Sequence, residues 1–157
     1  MAIHIVLYQP QIPSNTGNIA RTCAGTDTVL HLIRPFGFSA EDKALKRAGL
    51  DYWEAVTIHD YDSLEEFYEK NEGGAFYYVT KAGKTSYASF DYSEINKEHY
   101  FIFGSETTGL PEEIIQNNVE KTLRIPMTEN IRSYNLSNTA AVLIYEALRQ
   151  QNFGHLI

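Results

Sequence analysis

Residues 125–151, IPMTENIRSYNLSNTAAVLIYEALRQQ, form the stretch that decides the fold. The stretch begins at the end of an apolar run, crosses a polar loop after Pro126, and predicts a helix that starts at Ser137 or Asn138, because both residue types are good N-caps. From Ala140 onward the apolar residues recur at helical spacing. Their stripe is wider than one face, which indicates a terminal helix buried on more than one side.

The loop before this helix is rich in hydrogen-bonding side chains. Five of them occur within seven positions: Arg132, Ser133, Asn135, Ser137 and Asn138. A plain connector requires only one cap, and a richly capped loop is the simpler explanation of this segment taken alone. The other polar loops of the chain favour a binding site.

Composition limits the class of protein. A chain of 157 residues with 43% hydrophobic and 13% aromatic residues predicts one folded domain, residues 1–157, with a real core. The single cysteine, Cys23, excludes an internal disulfide and a cysteine-cluster zinc site. The N-terminus lacks the features of a signal peptide, and no apolar run reaches the roughly 18 residues of a membrane span, so we expect a soluble, cytoplasmic protein. The net charge of -7 argues mildly against a nucleic-acid partner.

Short apolar runs alternate with helical patterns along the whole chain. Strands are predicted at residues 2–8, 29–33, 55–58, 75–80, 100–103 and 122–125, and residues 81–97 have no clear assignment. Helices are predicted between them from their end signals: Asn15 and Gly25 for the first, Ser39, Asp42 and Gly49 for the second, Ser63 and Glu66 for the third, and Pro111 as the first residue of the fourth. This alternation predicts a single α/β domain with a mostly parallel sheet flanked by helices.

Three polar loops follow predicted strands, where a parallel sheet binds its ligands. They are NTGNIAR at residues 15–21, FGSETTGLP at 103–111, and the loop within residues 125–138. Gly17, Gly104 and Gly109 each permit a close approach of the backbone. The convergence of three such loops on one edge predicts a functional site.

Several common sites are excluded by missing motifs. There is no G-x-G-x-x-G after the first strand, no phosphate-binding G-x-x-x-x-G-K-[ST], and Ser105 does not lie in a G-x-S-x-G elbow. The five histidines lack metal-ligand spacing, so we expect structural roles for them and no metal. Glu106 and Glu112 are a possible acid/base pair, although a carboxylate at a helix start also suits the helix dipole.

The three loops together resemble the signature motifs of the SPOUT class of S-adenosylmethionine-dependent RNA methyltransferases. These motifs are N-x-G-N-x-x-R at residues 15–21, F-G-x-E-x-x-G-L at 103–110, and I-P-M followed by R-S-x-N-x-S at 125–137. The likeness extends to HLIRPFGF at 31–38 and KRAGLDYW at 46–53. Because the chain starts directly at the first strand, it resembles the minimal branch that methylates the ribose 2′-oxygen of the tRNA wobble nucleotide, cytidine or a modified uridine. Tyr134 stands where relatives often have Leu or Met.

The resemblance implies a C-terminal trefoil knot, which general folding rules disfavour. It also implies that the methyl donor S-adenosylmethionine is held largely by backbone groups, carried over by position to Tyr78, Gly104, Ile125 and Ser133. No metal is implied, because the sulfonium already activates the methyl group.

The resemblance also suggests catalytic roles for motif residues. Arg21 is expected to stabilise charge on the ribose oxygen, with Asn15, Glu106 and Asn135 positioning the ribose or holding Arg21. A salt bridge on the helix surface is the alternative for Arg21.

Two partners are implied. The first is tRNA, bound at its anticodon stem-loop by a cationic face drawn from Arg34, Lys43, Lys46, Arg47, Lys81, Lys84 and Arg132, although such a charge count equally fits a solvated surface. The second is another copy of the chain, packed through the C-terminal helix with Tyr145 and Leu148 at the interface. Three alternatives stay open: methylation of another RNA, a catalytically silent module that binds RNA or S-adenosylmethionine, and an unrelated α/β enzyme.

Overall fold

A seven-stranded sheet lies at the centre of the computed structural model, which describes residues 3–39 and 42–157, apart from the side chains of 49–51. Its strands are β1 (Ile3–Tyr8), β2 (Val29–Ile33), β3 (Ile58–Tyr61), β4 (Ala75–Val79), β5 (Thr85–Ser86), β6 (His99–Phe103) and β7 (Thr122–Arg124). They lie in the order β3-β2-β1-β6-β4-β7-β5. Every pairing between these strands is parallel, which confirms the predicted sheet type.

The described residues include five α-helices, four between strands and one after the last strand: α1 (Pro13–Thr26), α2 (Lys43–Gly49), α3 (Leu64–Lys70), α4 (Glu112–Asn117) and α5 (Leu136–Gln150). Short 3₁₀ segments occur at Leu50–Ala55, Tyr87–Ser89 and Val119–Lys121. The predicted start of α3 is confirmed, because the Ser63 side chain accepts a hydrogen bond from the Glu66 backbone N–H at 3.1 Å. In the part of the chain that the structure describes, no helix is long and apolar enough to cross a membrane.

The prediction of the third strand was wrong by three residues. Residues 50–55 form a 3₁₀ helix, and the strand occupies Ile58–Tyr61 instead of 55–58. β3 is an edge strand with β2 as its one neighbour, so His59 and Asp60 remain exposed and break the apolar pattern. The short strand β5 was missed inside the unassigned residues 81–97, and Ala2, the predicted start of β1, lies outside the described residues.

Helix ends differ from prediction by one to three residues. Asn135, and neither Ser137 nor Asn138, caps α5: its side-chain oxygen accepts the backbone N–H groups of both those residues. Asn15 lies within the first turn of α1, whose N-cap is Ile12, and that helix runs past Gly25 to Thr26. Pro111 is the N-cap of α4 and not its first residue. α5 therefore begins where the Asn135 side chain can accept backbone N–H groups, whereas α1 begins at Pro13 without a side-chain cap.

The helices cover both faces of the sheet, because alternate strand residues point to opposite sides. On one face Ile5 and Leu7 of β1 join a buried cluster with residues of α1 and α5, including Leu143 and Leu148. On the other face Val6 joins a cluster formed with residues of α3 and α4. The sheet is therefore covered on both faces, which leaves the carboxyl ends of its strands as the place for a ligand.

A loop holds β7 between β4 and β5. The Thr80 backbone N–H donates to the Leu123 carbonyl at 3.0 Å, and Arg124 Nη1 donates to the Gly83 carbonyl at 2.9 Å. Gly83 is required here, since a Cβ would lie 2.4 Å from the Leu123 carbonyl carbon. The threading of the C-terminal segment through a loop, the predicted knot, stays a prediction.

A buried polar network crosses the strands on the α3 side. His4 Nδ1 lies 2.9 Å from His31 Nε2, and His4 Nε2 lies 2.7 Å from a Glu98 carboxylate oxygen. His31 Nδ1 lies 2.9 Å from the Tyr61 hydroxyl. Burial, with the neighbouring charges of His4 and His59, lowers the pKa of His31 to about 3. His31 is therefore a neutral hydrogen-bonding group at neutral pH.

Candidate active site

An open cavity of about 660 Å³ lies at the carboxyl ends of the strands. It is lined by residues of the loops after β4, β6 and β7, by the start of α1, and by parts of α4 and α5. The three motif loops quoted above therefore meet at one edge of the sheet, as predicted. Six of the eight predicted site residues line this cavity: Asn15, Glu106, Asn135, Gly104, Ile125 and Ser133.

Glu106 fixes the first motif loop against the second. One carboxylate oxygen accepts the Gln11 backbone N–H at 2.9 Å. The other accepts the Ile12 backbone N–H at 3.0 Å and the Asn15 side-chain amide at 3.2 Å. A carboxylate with three donors is strongly oriented, because hydrogen bonds to charged groups are among the strongest. The geometry gives Glu106 a positioning role and does not support the acid/base pair with Glu112.

Asn15 links this arrangement to the third motif loop. The Asn135 side-chain amide donates to the Asn15 side-chain oxygen at 3.1 Å. The Asn135 oxygen is itself occupied by the Ser137 N–H at 2.9 Å, at the start of α5. Three side chains, Glu106, Asn15 and Asn135, therefore connect three loops that are far apart in sequence.

Gly104 is required by the fold of its own loop. The chain turns back at Gly109, whose φ is 69°, and the Gly109 N–H donates to the Ser105 carbonyl at 2.8 Å. A Cβ on residue 104 would lie 2.1 Å from the Gly109 carbonyl carbon and from the Leu110 nitrogen. The close approach predicted for this glycine is thus a contact of protein backbone with protein backbone.

Tyr78 does not bring its side chain to the cavity. The ring is 3% exposed and belongs to the cluster on the α3 side, with its hydroxyl 2.6 Å from that of Tyr68. Burial raises the pKa of Tyr78 well above its ordinary value. The next two residues, Val79 and Thr80, do line the cavity. The expected cofactor contact of Tyr78 through its backbone stays a prediction.

Arg21 also lies apart from the cavity of its own chain. Its exposed guanidinium lies over the ring of Tyr52, with Cζ 4.8 Å from the ring centre. Six residues along a helix from Asn15 amount to about 9 Å of rise and a different face. The salt bridge considered as an alternative is not seen among the described residues, and the predicted catalytic role stays a prediction.

Two cationic residues line the cavity in addition to the predicted site residues: Lys81, which was predicted only as part of the phosphate-binding face, and Arg124, which was not predicted. The sequence contains a signal for this part of the cavity: Gly83 lies in the polar stretch KAGK after a predicted strand, just as Gly104 lies in a polar loop after its own strand. Among the cations of the predicted phosphate-binding face, Arg34 is paired with Asp60 and Asp62.

Lys84 of the same predicted face is paired with Glu120 at 2.7 Å. These ion pairs reduce the part of that face that is free to meet phosphates. Within residues 3–39 and 42–157 we find no group of His, Cys, Asp or Glu side chains arranged to hold a metal ion.

Comparison with known proteins places this site in a family. Residues 2–145 match the SpoU rRNA Methylase family. A protein of Listeria monocytogenes serotype 4b (strain F2365) named putative tRNA (cytidine(34)-2′-O)-methyltransferase is 69% identical over 157 residues, which are 100% of this chain and 93% of that protein.

Two solved structures extend the comparison. One, described as giving structural insights into the 2-OH methylation of C/U34 on tRNA, has a TM-score of 0.89 at 42% identity and covers 96% of this chain and 97% of its own. The other is the SpoU methyltransferase AviRb from Streptomyces viridochromogenes in complex with the cofactor AdoMet. It has a TM-score of 0.83 at 21% identity, covering 96% of this chain and 58% of its own, and shares the fold. The chain therefore belongs to the SpoU rRNA methylase family.

Proposed function

We propose that the protein transfers a methyl group from S-adenosylmethionine to the ribose 2′-oxygen of the wobble nucleotide, cytidine or a modified uridine, in the anticodon stem-loop of tRNA. The observation that carries this proposal is the hydrogen-bonded chain Glu106–Asn15–Asn135 at one cavity that all three motif loops line. The relative named for methylation of cytidine 34 covers this chain from end to end and supports the choice of substrate. A substrate of this kind implies a cytoplasmic enzyme.

The residues present fit the cofactor. The cavity volume lies within the range of about 300–1,000 Å³ common for small-molecule sites. Val79, Leu110 and Ile115 offer apolar walls for a flat purine, and the cations Lys81 and Arg124 suit a carboxylate. The predicted backbone contacts at Gly104, Ile125 and Ser133 belong to the same lining. When bound, S-adenosylmethionine would supply a methyl group already activated by its sulfonium: S-adenosylhomocysteine would leave with the electron pair of the broken S–C bond, and the ribose hydroxyl would lose its proton to solvent.

The protein's own contribution is positioning and control of charge. Displacement at the methyl carbon requires the ribose oxygen to be held in line within about 3–3.5 Å of that carbon. Asn15 and Asn135 are fixed by their mutual hydrogen bond, so they offer a rigid polar edge to the ribose. Glu106 is saturated by three donors and keeps that edge in place.

A homodimer gives Arg21 access to a cavity. The prediction that Tyr145 and Leu148 form the interface needs one correction, because Leu148 is 7% exposed and packs in its own core, whereas Tyr145 is 48% and Val142 41% exposed. We infer that α5 packs against its copy through Val142 and Tyr145. Since α1 packs beside α5, this association carries Arg21 of one subunit toward the cavity of the other, where its permanent charge stabilises the developing alkoxide.

Methyl transfer to defined RNA tests the proposal. Purified protein with labelled S-adenosylmethionine is expected to label tRNA and to make one linkage, that after nucleotide 34, resistant to alkaline hydrolysis. Deoxyribose at nucleotide 34 alone should abolish labelling, and deoxyribose at a neighbouring nucleotide is the matched control. Cofactor binding without transfer would favour the silent module, and label in ribosomal RNA alone would favour another target.

A mixed dimer tests the role of Arg21 across subunits. Arg21→Ala is expected to lower the rate on the order of 10²–10³-fold with unchanged cofactor binding. Ser133→Trp is expected to block the cavity, since Ser133 lines it from an exposed position. A tagged and purified dimer with one variant subunit of each kind keeps one complete site if Arg21 acts on the partner, and about half of the wild-type rate should return. A mixed dimer as inactive as Arg21→Ala alone refutes the arrangement.

A further inference from the structure

Two apolar side chains stand exposed at the mouth of the cavity. Tyr134 is 45% and Ile12 is 42% exposed, and both line it. Single exposed apolar residues are common on protein surfaces, so exposure alone carries no argument. The position of the two residues does carry an argument, because Tyr134 immediately precedes Asn135, and Ile12 precedes α1, which carries Asn15. Tyr134 and Ile12 are therefore near neighbours in sequence of the two residues that form the Asn15–Asn135 hydrogen bond, and they line the same cavity.

The chemistry of the substrate places a base at this point. In a nucleotide, the carbon that bears the 2′-oxygen is bonded directly to the carbon that bears the base. An acceptor oxygen that reaches the Asn15–Asn135 edge must therefore bring its base to the immediate surroundings of that edge. Proteins recognise unpaired RNA bases chiefly by stacking them on aromatic side chains, together with hydrogen bonds to the base edges.

The interior of the cavity offers the other flat ring a different place. Leu110 is buried, and Val79 and Ile115 are partly buried, so the apolar walls suited to the purine of the cofactor lie inside. Tyr134, at the solvent side, is left for a ring that arrives from solution with the RNA.

We propose that Tyr134 is the stacking platform for the pyrimidine base of the methylated nucleotide, with Ile12 as the opposing wall. This inference rests on the proposed function and names the residue that orients the acceptor base. It makes Tyr134 a substrate-binding residue that does not take part in cofactor binding. Stacking on an aromatic ring tolerates both cytosine and uracil, since each presents a similar face.

The test is a double-mutant cycle between protein and RNA. The protein variants are Tyr134→Ala and Tyr134→Phe, and the RNA variant is an anticodon stem-loop that lacks the base of nucleotide 34. Dissociation constants are measured by fluorescence anisotropy with S-adenosylhomocysteine present, and cofactor affinity by calorimetry without RNA. Ile131→Ala is the matched control, because Ile131 is 43% exposed in the same loop but does not line the cavity.

We expect Tyr134→Ala to weaken binding of the intact stem-loop roughly 5- to 100-fold, the range typical of one lost base stack. Tyr134→Phe and Ile131→Ala should bind as wild type does, and none of the three should change cofactor affinity. The stem-loop without the base should bind equally to wild type and to Tyr134→Ala, because the missing stack cannot be lost twice.

Two results overturn the inference. Independent, multiplicative losses from Tyr134→Ala and from removal of the base would show that the two groups do not touch. A parallel loss of cofactor affinity would assign the ring to the purine of the cofactor. Neither result affects methylation of nucleotide 34 by the wild-type protein, so failure of this inference is distinguishable from failure of the proposed function.

Discussion

Replacement of Gly104 by alanine should damage both the fold and the site, because the added Cβ meets backbone. The nearest atoms, the Gly109 carbonyl carbon and the Leu110 nitrogen, would be 2.1 Å away, whereas ordinary contacts of a Cβ begin at 3.4 Å. The nearest atoms belong to the backbone and not to a flexible side chain, so the backbone at Gly109 and Leu110 must move by about 1 Å or more. Overpacking of this kind costs about 1–3 kcal/mol and occasionally more.

Gly25 provides the matched control. It lies in α1 near its end, and an added Cβ would have no atom within 4 Å. Gly25→Ala should therefore stabilise the protein by about 0.5–1 kcal/mol, through the lower entropy of the unfolded chain. The two alanine variants differ by one methyl group each from wild type, yet their free energies of unfolding should change in opposite directions.

Urea unfolding and calorimetry measure the two effects. With a slope of about 1–3 kcal/mol per molar urea, the midpoints of the two variants should differ by roughly 0.5–4 M. Gly104→Ala should also bind S-adenosylmethionine more weakly, since residues 103–110 form one wall of the cavity. If Gly104→Ala unfolds at the wild-type midpoint and binds the cofactor normally, the loop is not held by backbone contact and the explanation given for Gly104 is wrong.

Four further predictions rest on the described contacts and exposures. Glu106→Gln should lower the free energy of unfolding by about 1–2 kcal/mol in urea titrations, because the glutamine NH2 group cannot accept hydrogen bonds from the N–H donors that face one oxygen of the Glu106 carboxylate. Glu112→Gln is the control and should leave the free energy of unfolding near that of wild type. The pKa of His31 is lowered from 6.5 to about 3, so between these pH values the unfolded chain binds a proton that the folded chain does not. The contribution of His31 to the free energy of unfolding is therefore complete above pH 6.5 and falls by up to about 1.4 kcal/mol per pH unit as the pH drops toward 3. In His31→Gln the urea midpoint should fall less steeply between pH 7 and 4 than in wild type. Val142→Glu should convert the dimer to monomers in sedimentation with little loss of folding, and an unchanged dimer would contradict the proposed interface. Leu148→Glu should instead unfold the chain, which circular dichroism would detect, because Leu148 is buried in its own core.

Much of the sheet could be predicted because its central strands are buried on both faces. β1 and β6 are continuous apolar runs, and such runs leave few alternatives to a buried parallel strand. The edge strand β3 could not be located the same way, since exposed residues carry no apolar period. The two-residue strand β5 has no pattern of its own and forms only by pairing with β7.

The sequence predicted which polar loops meet at the cavity, but it did not indicate where single side chains point. Asn15, Glu106 and Asn135 lie in polar loops, and the parallel sheet brings those loops together. The side-chain direction of Tyr78 depends on which face of the sheet its strand position points to, and that of Arg21 depends on its position around α1. The apolar stripe of α5 likewise does not indicate which of its residues are buried within the chain and which are exposed; the structure buries Leu148 and exposes Val142.

The chain of side chains Glu106–Asn15–Asn135 has a consequence for the order of events during synthesis. Asn15 and Asn135 are 120 positions apart, and Asn15 and Glu106 are 91 apart. A growing polypeptide can complete its central strands while Asn135 is still inside the ribosome, but the Asn15–Asn135 edge, proposed above to receive the ribose, does not exist until the last helix docks. Because contacts so distant in sequence are slow to form, the active site should be among the last features to mature. Enzymatic activity in this protein is thus a direct readout of whether the whole chain has finished folding.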